Sequence, residues 1–201
     1  MLSKRLLRRL KRWRKNFSKK FIKDESVAEI ARRYFVMNAF DGALTILGVV
    51  AGTYMVEGMT EPRIIVSAGL GASLAMGISG GFGAYLTERS ERVRDMNDHP
   101  DDPDSPNSIQ EAHEEALFLA AVDAFSPALV ALVGVFPFFL SFYQIVTIET
   151  ALIASTVLIL AELFALGAFL GKVAKRNMFI RGLITLLAGI ATFLLCAILP
   201  F

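Results

Sequence analysis

The chain has 201 residues, of which 54% are hydrophobic, with a mean hydropathy of +0.52 and a formal net charge of +2. This composition is too apolar for a soluble domain of that length and indicates an integral membrane protein. The lone cysteine, Cys196, excludes an intramolecular disulfide and a cysteine zinc cluster. No phosphate-binding glycine–lysine loop occurs, so any transport is driven by an ion gradient rather than by nucleotide hydrolysis.

Residues 1–33 form a basic amphipathic arm. Eleven lysine and arginine residues and no acidic residue occur in residues 1–23, and positive charge of this kind stays on the cytoplasmic side of a membrane. Apolar side chains recur among these charges at helical spacing, which predicts an interfacial helix that binds anionic lipid. A second amphipathic stretch, residues 25–33, leads into the first membrane span. Because the arm directly precedes a span, lipid is favoured over nucleic acid as its partner.

Five apolar stretches reach the length of about 20 residues that a transmembrane helix needs. They cover residues 34–56, 64–87, 116–143, 151–171 and 178–199. Because lipid cannot satisfy backbone polar groups, each must be a helix, and we predict an all-α, multi-pass protein of the cell membrane. A cytoplasmic N-terminus places every strongly basic connection inside and the C-terminus outside. The predicted organisation is the arm, 1–33, followed by a transmembrane domain, 34–201, with an acidic cytoplasmic loop, 88–115.

The first span contains an aspartate, Asp41, in an otherwise uncharged apolar run. A carboxylate in hydrocarbon costs a few kcal/mol or more, so such residues usually face a bundle interior or a wet pathway. Met37 and Thr45 lie one turn to either side of Asp41 on the same helix face. Thioether, carboxylate and hydroxyl groups together suit Fe²⁺ or Mn²⁺, which accept mixed ligands. The first span therefore contains a candidate metal site.

The second span contains two ladders of small residues at a spacing of four. The first ladder is Gly69, Ser73, Gly77 and Gly81, and the second is Ala68, Ala72, Met76, Gly80 and Ala84. Small residues at this spacing let helices approach closely in lipid, so we expect this helix to pack on more than one side and a homodimer to form through the first two helices. Met76 is a large thioether among small residues. It is either a gap filler or a soft metal ligand.

The acidic loop contains a second group of candidate ligands. Glu111 and Glu115 are spaced four apart, as two ligands on one helix face would be, and can bind a metal with acids at the end of the second span. The candidate metal-capture group is Glu88, Glu91, Glu111, His113 and Glu115. The alternative is a solvated linker, which the proline and aspartate cluster at residues 99–106 favours.

The third and fourth spans each contain one lone acid, Asp123 and Glu162. Together with Asp41 they place three acids in three spans, which indicates a cation route. The alternative is a set of buried carboxylates that only hold helices together. The candidate metal residues of the membrane domain are Asp41, Met76, Met37, Thr45, Asp123 and Glu162.

Two motifs resemble the vacuolar iron transporter family. Residues 78–91, ISGGFGAYLTERSE, resemble the second-helix motif I-S-M-G-L-G-G-Y-L-A-A-K-S-E of that family. Residues 41–52, DGALTILGVVAG, resemble its first-helix motif D-G-L-V-T-x-x-x-x-x-A-G. The resemblance implies five spans, a parallel homodimer, and exchange of Fe²⁺ or Mn²⁺ for protons that carries metal out of the cytoplasm, with Asp41 as the pathway aspartate.

The chain departs from the family pattern at three places. Gly80 stands where the family has its pathway methionine, Ala72 stands where it has a glutamate, and the three-helix cytoplasmic metal-binding domain is reduced to the acidic loop. We therefore interpret the chain as a divergent, short family member.

The function that we predict is proton-coupled export of Fe²⁺ or Mn²⁺ from the cytoplasm, with metal as substrate and no permanently bound cofactor. The alternative is a non-transporting membrane scaffold or regulator with the same fold. An intramembrane hydrolase that uses Asp41 and Asp123 as an acid pair is disfavoured because no protease motif surrounds either residue. We therefore predict that the chain is not an enzyme.

Overall fold

The computed structural model describes residues 25–55, 61–98, 106 and 108–198. These residues form five α-helices and no strand. The helices are α1 (Glu25–Met55), α2 (Pro62–Asp98), α3 (Ile109–Phe142), α4 (Ile148–Val173) and α5 (Met178–Ile198). Residues 1–24 lie outside the described part, so the interfacial helix and the lipid contact of the arm stay predictions.

All five helices are long and apolar enough to cross a membrane. This confirms the prediction of a five-span, all-α membrane protein. Helix α1 begins at Glu25, so the second amphipathic stretch of the arm is its first part, with no break before the first span. Prolines 127 and 137 lie inside α3, which nevertheless continues through both.

Two helices extend well beyond the apolar spans that the sequence predicts. Helix α2 continues to Asp98, although its apolar run ends at Thr87, and α3 begins at Ile109, before its apolar run starts at Ala116. The segment predicted as an acidic loop, 88–115, is therefore helical at both ends. Hydropathy could not show this because the extensions are polar. An ion pair between the two helices, described below, stabilises them.

The chain divides into two compact units. The first unit contains the described residues of Met1–Tyr34 and Gly80–Asp123, and the second contains those of Phe35–Ser79 and Ala124–Phe201. Val27, Ala31 and Leu119 form the apolar core of the first unit. The core of the second unit is larger and draws on α1, α2, α3 and α4; its largest fully buried side chains are Phe138, Ile46, Leu47, Ile65, Ile159 and Leu163.

Glycines permit close helix contacts within the second unit. A Cβ at Gly42 would lie 2.8 Å from Pro127 Cα, so α1 and α3 meet there backbone to backbone. A Cβ at Gly77 would lie 2.5 Å from the carbonyl oxygen of Ala124, which brings α2 equally close to α3. Gly77 belongs to the first ladder of α2, whose members Gly69 and Ser73 are also buried. This ladder therefore packs inside the protomer, as small residues at a spacing of four predict.

Candidate functional site

Asp41 lies on an exposed face of α1 in the second unit. Its side chain is exposed, and Met37, one turn earlier, is 53% exposed. An exposed carboxylate on a membrane-spanning helix meets lipid, a water-filled path or another protein chain, and lipid is the costly alternative. The face that contains Asp41 and Met37 is therefore suited to contact with a second protein surface.

Thr45 and Met76 connect this face to α2. The Thr45 hydroxyl donates a hydrogen bond to the Met76 sulfur at 3.5 Å, and both side chains are half-buried. Thr45 lies one turn after Asp41, so the contact places a thioether close to the helix face that contains the carboxylate. Spacing on α1 alone predicted Asp41 and Thr45 as neighbours. The contact with Met76 adds a sulfur from another helix.

The same face of α1 continues over two open glycines. Gly48 and Gly52 follow Thr45 at helical spacing, and a Cβ added at either would meet no atom within 4 Å. Their backbones are thus accessible to another helix along the line of Asp41. In a lipid environment, surfaces of this kind are sites where helices associate through close backbone contact.

Helix α2 presents a further small-residue surface that the sequence interpretation missed. Ser67, Gly71, Ala75 and Ser79 form a third ladder at a spacing of four, and all four residues are exposed. A Cβ at Gly71 would meet nothing within 4 Å. The pattern is visible in the sequence, but three interleaved ladders of small residues cover the helix. Spacing alone cannot tell which of them packs inside the protomer.

Asp123 does not share the environment of Asp41. It is 4% exposed in the first unit, where it has polar or electrostatic partners. Burial of this kind with partners is also what a structural carboxylate would show.

Glu162 is half-buried in α4 and lines an apolar cavity of about 260 Å³ in the second unit. The other lining residues are Phe35, Val130, Ala165, Leu166 and Phe169. No second ligating side chain faces the cavity, whereas a divalent cation needs several ligands. The cavity as described suits a lone acid better than a metal ion.

The candidate metal-capture group in the first unit is linked by an arginine. Arg92 Nη1 lies 3.3 Å from Glu115 Oε2, and Arg92 Nε lies 3.9 Å from Glu88 Oε2. The Tyr34 hydroxyl donates to Glu88 Oε1 at 2.8 Å. Arg92 is 6% exposed and Glu115 is 4% exposed, so this ion pair is largely buried. The guanidinium group occupies the space between two acids that a bridging cation would otherwise fill. We call these four residues the Arg92 network.

The remaining capture residues have other partners. His113 Nδ1 lies 3.0 Å from the Tyr85 hydroxyl, and the two rings meet edge to face. Glu91 pairs with Arg94 at 2.8 Å on the surface. The backbone N–H of Glu111 donates a hydrogen bond to Ser108 Oγ at 3.1 Å. Across the described ranges no three His, Cys, Asp or Glu side chains are gathered closely enough to hold a metal. The sequence interpretation overlooked Arg92, although its position four residues after Glu88 is a signal for an ion pair.

Comparison with known proteins finds a matching family profile and a similar archaeal protein. The sequence profile of the VIT family matches residues 32–101, which include Met37, Asp41, Thr45 and Met76. The chain is also 30% identical over 175 residues to the uncharacterized protein MJ0645 of Methanocaldococcus jannaschii. That alignment covers 84% of this chain and 87% of the archaeal protein, so the likeness extends over most of both proteins.

Proposed function

Because this chain belongs to the VIT family, whose members are membrane transporters of metal ions, we propose that its substrate is Fe²⁺ or Mn²⁺. Family members are transporters rather than enzymes, so the metal is cargo and not a resident cofactor. The observation that carries the choice of metal is the donor set around Asp41. A carboxylate, a hydroxyl and a thioether lie on adjoining faces of α1 and α2. Purely oxygen-ligated ions such as Ca²⁺ and Mg²⁺ gain little from the sulfur, whereas Fe²⁺ and Mn²⁺ accept mixed ligands.

The transport site is completed by a second copy of the chain. Asp41 and Met37 are exposed on the protomer, and Gly48 and Gly52 leave the same face open to a neighbouring helix. In a two-fold symmetric dimer the same surface meets itself, so Asp41 and Met37 of both protomers line one shared path. This arrangement supplies two carboxylates and additional thioethers to a single ion, and it removes Asp41 from lipid.

Helix α2 contributes the packing surface of that dimer. Gly69, Ser73 and Gly77 of its first ladder are buried, whereas the second ladder, which contains Met76, is partly open and the third is exposed. Leu74 and Ile78, each 63% exposed, flank the third ladder and give it an apolar border. Close contact through Gly71 and Ala75 would bury this border.

Proton exchange provides the driving force. A carboxylate must be deprotonated to bind metal, so metal binding at Asp41 releases a proton and metal release takes one up. An inward proton flow then carries metal out of the cytoplasm, in the direction that the family resemblance implies.

A second candidate function is a scaffold or regulator without transport. The observations that favour it are Gly80 and Ala72 at family ligand positions and an arginine between the capture acids Glu88 and Glu115. In this alternative the fold and the dimer are kept, and the metal path is inactive.

Metal uptake into proteoliposomes separates the two candidates. The purified protein is reconstituted and offered Fe²⁺, Mn²⁺, Co²⁺, Zn²⁺ and Ca²⁺ in parallel, with and without a pH gradient, and empty liposomes provide the background. We expect Fe²⁺ and Mn²⁺ to enter faster than Ca²⁺, and the gradient to accelerate both. Uptake no faster than in empty liposomes for all five ions would favour the scaffold.

A further inference from the structure

Glu162 is a half-buried acid with one carboxylate oxygen in an apolar environment. It lies near the middle of α4, and its Oε2 atom is buried without a hydrogen-bond partner among the described residues. Five apolar side chains line the cavity with it: Phe35 from α1, Val130 from α3, and Ala165, Leu166 and Phe169 from α4 itself. None of these residues is charged or titratable. No countercharge from the cavity lining therefore balances a negative charge at this position.

The energetics of this environment favour a neutral carboxyl group. A charged carboxylate at membrane depth costs several kcal/mol unless an opposite charge or hydrogen-bond donors compensate for it. The cavity lining supplies neither, and it lacks the ligands that a metal would need. A proton is the one cation that a single carboxyl group can bind without other ligands. Binding of a proton by Glu162 therefore fits a cavity that offers a single carboxyl group.

Helix α1 connects this cavity with the proposed metal site. Phe35 forms part of the cavity wall, and Asp41 lies six residues later on the same helix. Thr45, which contacts Met76, follows one turn beyond Asp41. A shift of α1 on metal binding at Asp41 would also move Phe35. Such a shift would change the access of water to Glu162.

We propose that Glu162 binds and releases a proton during the transport cycle, at a site separate from the metal ligands. This inference rests on the proposed metal transport for its place in the cycle, but the protonation itself does not. With Phe35 against the cavity the carboxyl group holds its proton. Movement of Phe35 gives water better access, and the proton passes to water while Asp41 exchanges its metal. The acid and the metal site are thus coupled through α1 rather than through a shared ligand.

Carbodiimide labelling tests the protonation directly. A protonated carboxyl group adds across one C=N bond of dicyclohexylcarbodiimide, its proton passing to nitrogen and its oxygen bonding to carbon. The O-acylisourea then rearranges to a stable N-acylurea, with no other reactant consumed and no group lost. Protein in membranes is labelled over a range of mildly acidic to alkaline pH, and the modified residue is identified by peptide mass spectrometry. Glu149, exposed at the start of the same helix, is the internal control.

We expect the apolar reagent to modify Glu162 in preference to Glu149, and the labelling of Glu162 to decline as the pH rises. Glu162→Gln should lose the label from that peptide, while Asp41→Asn should keep it. Absence of label at Glu162 in folded protein would overturn the proposal. Labelling that does not change with pH would overturn it as well, because the site would then not release its proton.

Transport measurements test the place of this proton in the cycle. In proteoliposomes the rate of Mn²⁺ movement is compared with and without a pH gradient for wild type, Glu162→Gln, Glu162→Asp and Glu149→Gln. We expect the stimulation by the gradient to be reduced in Glu162→Gln, because only the proton exchanged at Asp41 remains, to be less reduced in Glu162→Asp, and to stay intact in Glu149→Gln. Full stimulation in Glu162→Gln would contradict the inference.

The labelling and transport experiments together distinguish failure of this inference from failure of the proposed function. If wild-type protein moves no metal, the proposed transport is wrong, and the labelling result alone decides whether Glu162 takes up a proton. If metal moves and Glu162 is neither labelled nor needed for stimulation by the gradient, only the present inference is overturned.

Discussion

Replacing Arg92 with methionine should destabilise the protein by about 3 to 5 kcal/mol, because the change leaves two acids without their cation. Arg92 and Glu115 are 6% and 4% exposed, and their charged groups lie 3.3 Å apart. Glu88 loses the same partner at 3.9 Å and keeps its hydrogen bond from Tyr34. Methionine fills a similar volume, so the loss is mainly electrostatic. For a chain of this size such a change lowers the melting temperature by about 6 to 20 °C.

Thermal unfolding in detergent, followed by far-ultraviolet circular dichroism, measures this change, and Arg94→Met is the matched control. Arg94 pairs with Glu91 at the shorter distance of 2.8 Å, but its side chain is 63% exposed. Exposed pairs contribute about 0 to 1 kcal/mol, so the control should melt close to wild type. An Arg92→Met variant that melts with wild type and the control would refute the reasoning, because burial would then add nothing to the ion pair.

The double variant Arg92→Met/Glu115→Gln identifies the cause of the loss. Removing the buried negative charge together with its partner should restore most of the lost stability, since a neutral pair avoids the uncompensated charge. Mn²⁺ should also raise the melting temperature of Arg92→Met more than that of wild type, because a divalent cation can take the place of the guanidinium group between Glu88 and Glu115. Equal effects of Mn²⁺ on both proteins would show that these acids do not capture metal even when free of Arg92.

Three further predictions concern the dimer, the arm and the thioether. Gly71→Leu should weaken the dimer on native gels while leaving each protomer folded. Gly77→Leu should misfold the protomer, since a Cβ at this position already approaches the Ala124 oxygen to 2.5 Å. Unchanged dimers in Gly71→Leu would count against the α2 interface. Deletion of residues 1–20 should leave metal transport intact but reduce sedimentation with anionic vesicles, because each basic residue near the surface contributes about 1 kcal/mol of binding. Complete loss of transport would make the arm part of the mechanism. Met76→Leu should slow uptake of the softer Fe²⁺ more than that of Mn²⁺, and equal rates for wild type and variant would identify Met76 as a gap filler.

Hydropathy and spacing predict the helices well but their ends poorly. All five apolar runs are helices, because lipid allows no other backbone arrangement for runs of that length. The polar continuations of α2 and α3 could not be predicted from apolar character. These continuations are joined by the ion pair between Arg92 and Glu115, which lie 23 positions apart in the sequence. Contacts at such separations leave no periodic signal.

The candidate metal site was predictable only in part, for a related reason. Asp41 stands out in the sequence by its charge alone, and Thr45 follows from helical spacing. The sulfur of Met76 joins them through a contact between two helices, which spacing within either helix does not reveal. The capture group shows the converse case. Its acids have the spacing of metal ligands, but Arg92 pairs with Glu88 and Glu115. Another ligand candidate, His113, contacts Tyr85.

Uptake of Mn²⁺ by proteoliposomes that contain Asp41→Asn tests the central claim most directly. Asparagine keeps the shape and most hydrogen-bonding capacity of aspartate and removes only the charge and the titratable proton. Wild-type protein should take up Mn²⁺ faster when a pH gradient is imposed, and Asp41→Asn should show no uptake above empty liposomes while it still expresses and dimerises like wild type. Wild-type rates in a correctly folded Asp41→Asn dimer would contradict the account, because the carboxylate would then be neither a metal ligand nor a proton carrier.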